Sequence, residues 1–195
     1  SRLVCLEGTW ELCALLARPA LLLLYLPQEG VPLSLFGAGR GRTEVLLRRA
    51  QALMRRRQWK RALSALEALL AESPDRAEVR VDYGAVLYHL GRYSEALAEL
   101  ERAVAADESL AQGWLNLAAV ANQLGLINRA REALERVAKT APNMRGLHYN
   151  LAILRLKEGK LTEALAELET ELSLYPGNAA ARSLSVALER ALLRP

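Results

Sequence analysis

Residues of matching size recur every 34 positions along most of this 195-residue chain. Ala62, Ala96, Ala130 and Ala164 form one row. Leu66, Leu100, Leu134 and Leu168 form a second, and the small residues Ala50, Gly84, Ala118 and Ala152 a third. A period of roughly 20–50 residues marks a stacked array, because each unit leaves an apolar face that only a neighbouring unit covers. A chain built this way presents a surface rather than enclosing a globular enzyme core.

The signals inside each period are helical. Ala96, Leu97, Leu100 and Val104 share one face at spacings of one, three and four, and Ala164, Leu165, Leu168 and Leu172 repeat the pattern. Leu and Ala dominate, aromatics make only 5% of the chain, and Gly and Pro number 12 and 7. Such a composition favours helices closed by small-to-large packing over sheet. The chain divides into an apolar leader at 1–42, four repeats at 43–76, 77–110, 111–144 and 145–178, and a closing helix at 179–195. In the second repeat the pattern predicts a first helix over Ala77–Leu90, a turn at Gly91-Arg92 and a second helix from about Ser94 to Ala106. Gly91, Gly125 and Gly159 stand where a helix end turns through positive φ. Ser94, Asn128 and Thr162 follow three residues later and are expected to cap the second helices. Pro74, Pro142 and Pro176 mark the exits between repeats. The closing helix carries Ala180, Leu184, Ala187, Leu188 and Ala191 as its expected apolar stripe.

These small residues, the Gly91-Arg92-Tyr93 turn, the alanine row and the closing prolines resemble the tetratricopeptide repeat family over Thr43–Asn178, about 70% of the 195 residues. The resemblance implies an all-α fold: a right-handed α-α superhelix (solenoid) of four helix pairs with a C-terminal capping helix. The chain departs from the family pattern at several places. Arg57 replaces the turn glycine of the first repeat, although Trp59 keeps the turn aromatic, and Glu108 replaces a closing proline. Arg49, Arg155 and Glu171 occupy places expected to face the core.

In the family the first helices line a concave groove that binds an extended or helical peptide. Carried over by position, the groove residues are Leu47, Gln51, Val81, Tyr88, His89, Leu115, Asn116, Asn122, Tyr149, Asn150 and Ile153. Asn116 and Asn150 lie 34 apart, so their amides are expected to project in parallel. An amide both donates and accepts, so such a row can hold a peptide backbone whatever its sequence. The family's clamp for a C-terminal carboxylate is not matched. Its places hold Leu47, Gln51, Asp82, Gln112 and Asn116, which supply no cation, and Asp82 would repel a carboxylate.

Charge is uneven. Arg40, Arg42, Arg48, Arg49, Arg55, Arg56, Arg57, Lys60 and Arg61 crowd into 22 residues with only Glu44 opposing, against a net +4 for the whole chain. Arg48, Arg55, Arg56, Arg57 and Arg61 form the candidate basic patch. It suits solvation or the steering of an acidic partner. Nucleic acid is disfavoured, because base-stacking aromatics are absent beyond Trp59.

The apolar leader run Leu12–Leu26 is broken by Arg18 and Pro19 and is too short to span a membrane. Glu7 and Glu11 sit where a signal peptide would be basic, so the expected location is cytoplasmic. The leader reads as short strands at Arg2–Leu6 and Val31–Phe36, helices at Trp10–Arg18 and Ala20–Leu26, and a glycine joint at Gly37–Gly41.

Catalytic chemistry finds no motif: two histidines and two cysteines show no metal-ligand spacing, and no phosphate loop or nucleophile motif is present. No cofactor or metal is expected. The chain is therefore expected to be a non-catalytic scaffold or adaptor for a protein or peptide segment. Its alternatives are the oligomerising or sensing part of a nucleic-acid-linked regulator, or a homo-oligomeric array assembled through the leader.

Overall fold

The computed structural model describes residues 38–192. The strands and helices expected in the leader lie outside the described residues. The chain runs through α1 (Ala38–Arg55), α2 (Trp59–Glu72), α3 (Ala77–His89), α4 (Tyr93–Ala106), α5 (Ala111–Leu124), α6 (Ile127–Thr140), α7 (Leu147–Lys157), α8 (Leu161–Leu174) and α9 (Ala179–Leu192), with no strand among the described residues. From α3 to α9 each helix packs on the next in sequence, and α3, α5 and α7 also touch in succession. This is the all-α superhelical repeat fold that the family resemblance implies.

One hairpin is used four times. Gly91, Gly125 and Gly159 have φ of 78°, 74° and 78°, and Arg57 holds the same place at 55°. The next residue then bonds back to the helix just completed: Gln58 N–H to Leu53 O, Arg92 to Leu87, Leu126 to Ala121 and Lys160 to Arg155, at 2.9–3.0 Å. This is the helix-ending pattern that a left-handed residue permits. Glycine enters that region freely, whereas an L side chain is penalised, so Arg57 holds the turn at a conformational cost its counterparts avoid.

The hairpin also explains a failed expectation. Ser94, Asn128 and Thr162 are not N-caps. The capping positions are Arg92, Leu126 and Lys160, none with a side-chain cap bond. The turn is so tight that the carbonyls of Gln58, Arg92, Leu126 and Lys160 already accept from Ala62, Ala96, Ala130 and Ala164 at 2.9–3.0 Å. The alanine row thus makes the first bond of each second helix, and the serine, asparagine and threonine fall inside the first turn.

The three rows that reveal the period are core. Every alanine and leucine of the first two rows is 0% exposed, as are Ala50, Ala118 and Ala152. Gly84 is needed for a closer approach: a Cβ there would lie 2.5 Å from Leu100 Cγ.

Two other expectations are corrected. Residues 38–41 belong to α1 instead of a flexible joint. Extending a formed helix adds a hydrogen bond per residue, and a glycine weakens it by only about 1 kcal/mol. In α9 the buried stripe is Ala181, Ser185 and Leu188, with Leu184 half-buried beside it and Ala180, Ala187 and Ala191 outside. Ser185 is accommodated because its hydroxyl donates to Glu189 Oε1 at 3.0 Å.

The polar intruders divide. Arg49 is exposed, and Arg155 pairs with Glu158 and Glu163 at 3.1 and 3.3 Å. Glu171 is completely buried. Its Oε1 accepts from the Gly146 N–H and the Asn178 Nδ2, both at 2.9 Å. Glu158 ties the third repeat to the fourth: hydrogen bonds from Arg131 first, then Arg155, pull its carboxyl down to about 2.

Candidate functional site

The face shared by α1, α3, α5 and α7 carries the residues singled out in the sequence, but not all remain available. Val81 and Leu115 are each 5% exposed and belong to the central core. Asn122 is 2% exposed. Its Nδ2 donates to the Asn150 carbonyl at 3.2 Å, and its Oδ1 is buried without a partner. Asn122 therefore joins two repeats. The signal was its place in the row Met54, Tyr88, Asn122, Leu156, where it is the one amide among large side chains.

Leu47, Gln51, Tyr88, Asn116, Tyr149, Asn150 and Ile153 are half-buried, and His89 is exposed. Gln51 Nε2 meets Asp82 Oδ2 at 3.4 Å across α1 and α3. Burial pushes the Asp82 carboxyl above its ordinary value, offset in part by that bond. His89 lies flat on Trp59, with centroids 4.1 Å apart and planes 11° apart, and meets Tyr88 edge-on at 5.5 Å. Partial burial, then the Arg57 charge, hold His89 below the usual histidine value, so a neutral ring is favoured on this surface. The Trp59 stack on His89 was not foreseen; the turn aromatic was its only signal. Burial, then Tyr88, raises the Tyr149 hydroxyl.

The two asparagines 34 apart have different neighbours. Asn150 Nδ2 is spent on the Gly146 carbonyl, 2.8 Å away at the start of its own helix. Asn116 accepts from Gln112 Nε2 at 2.8 Å through Oδ1, and its Nδ2 has no partner among the described residues. Asn116 also borders a pocket of about 130 Å³ between α3 and α5, with Gly84, Ala85, Ala119, Val120 and Leu100 as its apolar wall and Tyr88 and His89 at its rim. This is far below the roughly 300–1,000 Å³ of small-molecule sites. It has room for one apolar side chain beside an amide donor.

None of the basic residues lines that pocket, although the Arg57 charge reaches His89 at its edge. Arg48 pairs with Glu44 at 3.1 Å, and Arg61 donates to Gln58 at 2.8 Å. Arg55, Arg56 and Arg57 are exposed, with no carboxylate partner among the described residues. No group of three metal-ligating side chains exists among the described residues. Nor is any described helix long and apolar enough to cross a membrane.

Two tetratricopeptide repeat family profiles match, over residues 49–124 and 115–179. The chain belongs to the tetratricopeptide repeat family. Solved structures of the fold are similar. A thermophilic tetratricopeptide repeat protein of Thermus thermophilus superposes with a TM-score of 0.64 at 22% identity, covering 75% of this chain and 80% of its own. MamA of Desulfovibrio magneticus RS-1 gives 0.62 at 17%, covering 76% and 84%. YrrB, described as a tetratricopeptide repeat protein with an unusual peptide-binding site, gives 0.60 at 18%, covering 73% of each chain. No relative was found among curated proteins.

Proposed function

We propose that this tetratricopeptide repeat chain is a non-catalytic scaffold or adaptor that holds an extended peptide or protein segment across α3, α5 and α7. Membership of the family supports an interaction scaffold in general terms. The observation that carries the finer reading is the pocket of about 130 Å³ beside the unpaired Asn116 amide. A ligand carbonyl accepts from Asn116 Nδ2, while a neighbouring apolar side chain enters between Ala85 and Ala119. Apolar burial supplies affinity and the amide sets the register. A peptide-binding site described for YrrB, on the same fold, is consistent with this use. A cytoplasmic location belongs to the same proposal.

The test is an immobilised random dodecapeptide library, probed with the full chain and then with Asn116→Ala and Ala119→Leu. Each variant is expected to lose about tenfold in affinity for the selected peptides, equivalent to about 1.4 kcal/mol, with unchanged circular dichroism. Peptides selected equally well by the parent and both variants would remove the pocket from the account.

A further inference from the structure

We infer that the outer face of α1 and α2 is a second docking site, separate from the pocket between α3 and α5, and that its occupant is an acidic amphipathic helix of another protein. The face is a groove of about 510 Å³ floored by Leu46, Leu53, Ala65 and Ala68 and edged by Arg49 and Lys60.

The array itself dictates the shape of the occupant. Moving Arg49 and Leu53 by 34 positions gives Tyr83 and Leu87 in α3, then Leu117 and Ala121 in α5. In those repeats a helix of the preceding unit covers the face. Tyr83 packs with the cluster that holds Leu66 and Leu69 of α2 and donates its hydroxyl to Glu67 at 3.3 Å. Leu117 and Ala121 are 0% exposed, in one cluster with Ala103 and Val104 of α4. Among the described residues no helix precedes α1, and no described helix covers this groove.

Charge decides the chemistry. Arg49 and Lys60 have no carboxylate partner among the described residues, and no acidic residue lines the groove. At the next interface the covering helix α2 presents a carboxylate, Glu67, to the face it covers. A helix with a leucine stripe and glutamates beside it satisfies floor and rim together; a basic helix is repelled.

The test is fluorescence anisotropy of the full chain with two labelled helical peptides of about five turns. Both carry one leucine stripe, flanked by glutamate in one and by lysine in the other. The acidic peptide is expected to bind at least about tenfold tighter than the basic one. Arg49→Glu with Lys60→Glu, both at exposed positions, is expected to abolish the preference, while the remote Lys139→Glu leaves it in place. Ser64→Trp fills the groove without changing charge and is expected to weaken the acidic peptide by about tenfold or more. Asn116→Ala is expected to change nothing here, which separates this site from the peptide-binding pocket. Equal binding of the two peptides, or indifference to both groove variants, overturns the inference. So does self-association in sedimentation that the Arg49→Glu, Lys60→Glu pair abolishes, because the occupant would then be a second copy.

Discussion

The third and fourth repeats match position by position, yet they are held by different chemistry. In the third, α5 has 14 residues, and Val137 of α6 fills the buried place that Leu69 and Ala103 take in earlier repeats. In the fourth, α7 has only 11 residues and starts after Gly146, whose φ is 89°. The buried place holds Glu171, which accepts from the Gly146 N–H. The shortened helix and the buried carboxylate are one device. Starting α7 late leaves a backbone donor inside the protein, and an unpaired donor there is costly. The glutamate answers it and, through Asn178, also fixes the entry to α9. Similar helix packing can thus be reached with an apolar residue or with a carboxylate whose Oε1 accepts two hydrogen bonds while its Oε2 is buried without a partner among the described residues.

Exchanging the two residues tests that reading most severely. Val137→Glu is expected to cost about 3–5 kcal/mol in urea unfolding, because no donor waits in the third repeat and the carboxylate is buried without a counterpart. Glu171→Val gives the fourth repeat the residue of the third. It is expected to lose about 1–3 kcal/mol, because Gly146 and Asn178 are left without an acceptor. A neutral Glu171→Val would show that the carboxylate is a passenger and would break the comparison.

Two smaller substitutions sharpen it at the other end of the array. Arg57→Gly gives the first hairpin the residue of the other three and is expected to raise stability by about 1 kcal/mol, whereas Gly125→Ala is expected to lower it by about 1–2 kcal/mol. Thermal unfolding reads both. The smallest effect is expected from Asp82→Asn, which continues the asparagines of positions 116 and 150 into the second repeat. Burial raises the folded-state pKa of Asp82, so the protonated form favours folding and that advantage is lost as pH rises through the raised value. The asparagine variant is therefore expected to melt slightly higher at neutral pH, with the difference closing below the ordinary aspartate value of about 3.9. A gap that widens in acid would reverse the sign of this argument.

The fold was legible because its determinants are spacings. The rows at Ala62, Leu66 and Ala50 encode contact between helices, and periodicity reports contact directly. The turn glycines were legible for the same reason, since only a few residues accept that backbone. What periodicity could not report is where a polar side chain finds its partner. Asn116 and Asn150 occupy one register position, but the Asn150 amide donates to the Gly146 carbonyl, whereas the Asn116 amide accepts from the Gln112 side chain. Asn122 read as a groove residue because its position in the repeat carries it there; its bond to the Asn150 carbonyl instead holds it inside. Ser94 read as a cap because its residue type suits one, while the tight hairpin had already begun the helix at Tyr93.

The bonds between repeats, from Gln51 to Asp82, Gln123 to Tyr88, Arg129 to Glu101 and Arg131 to Glu158, each span one junction, and none among the described residues skips a unit. Repeats fastened only to their immediate neighbours behave as links in a spring. Under tension from its two ends it would part junction by junction, each rupture releasing one hairpin's length of slack, and cargo lying across a junction would act as a splint there.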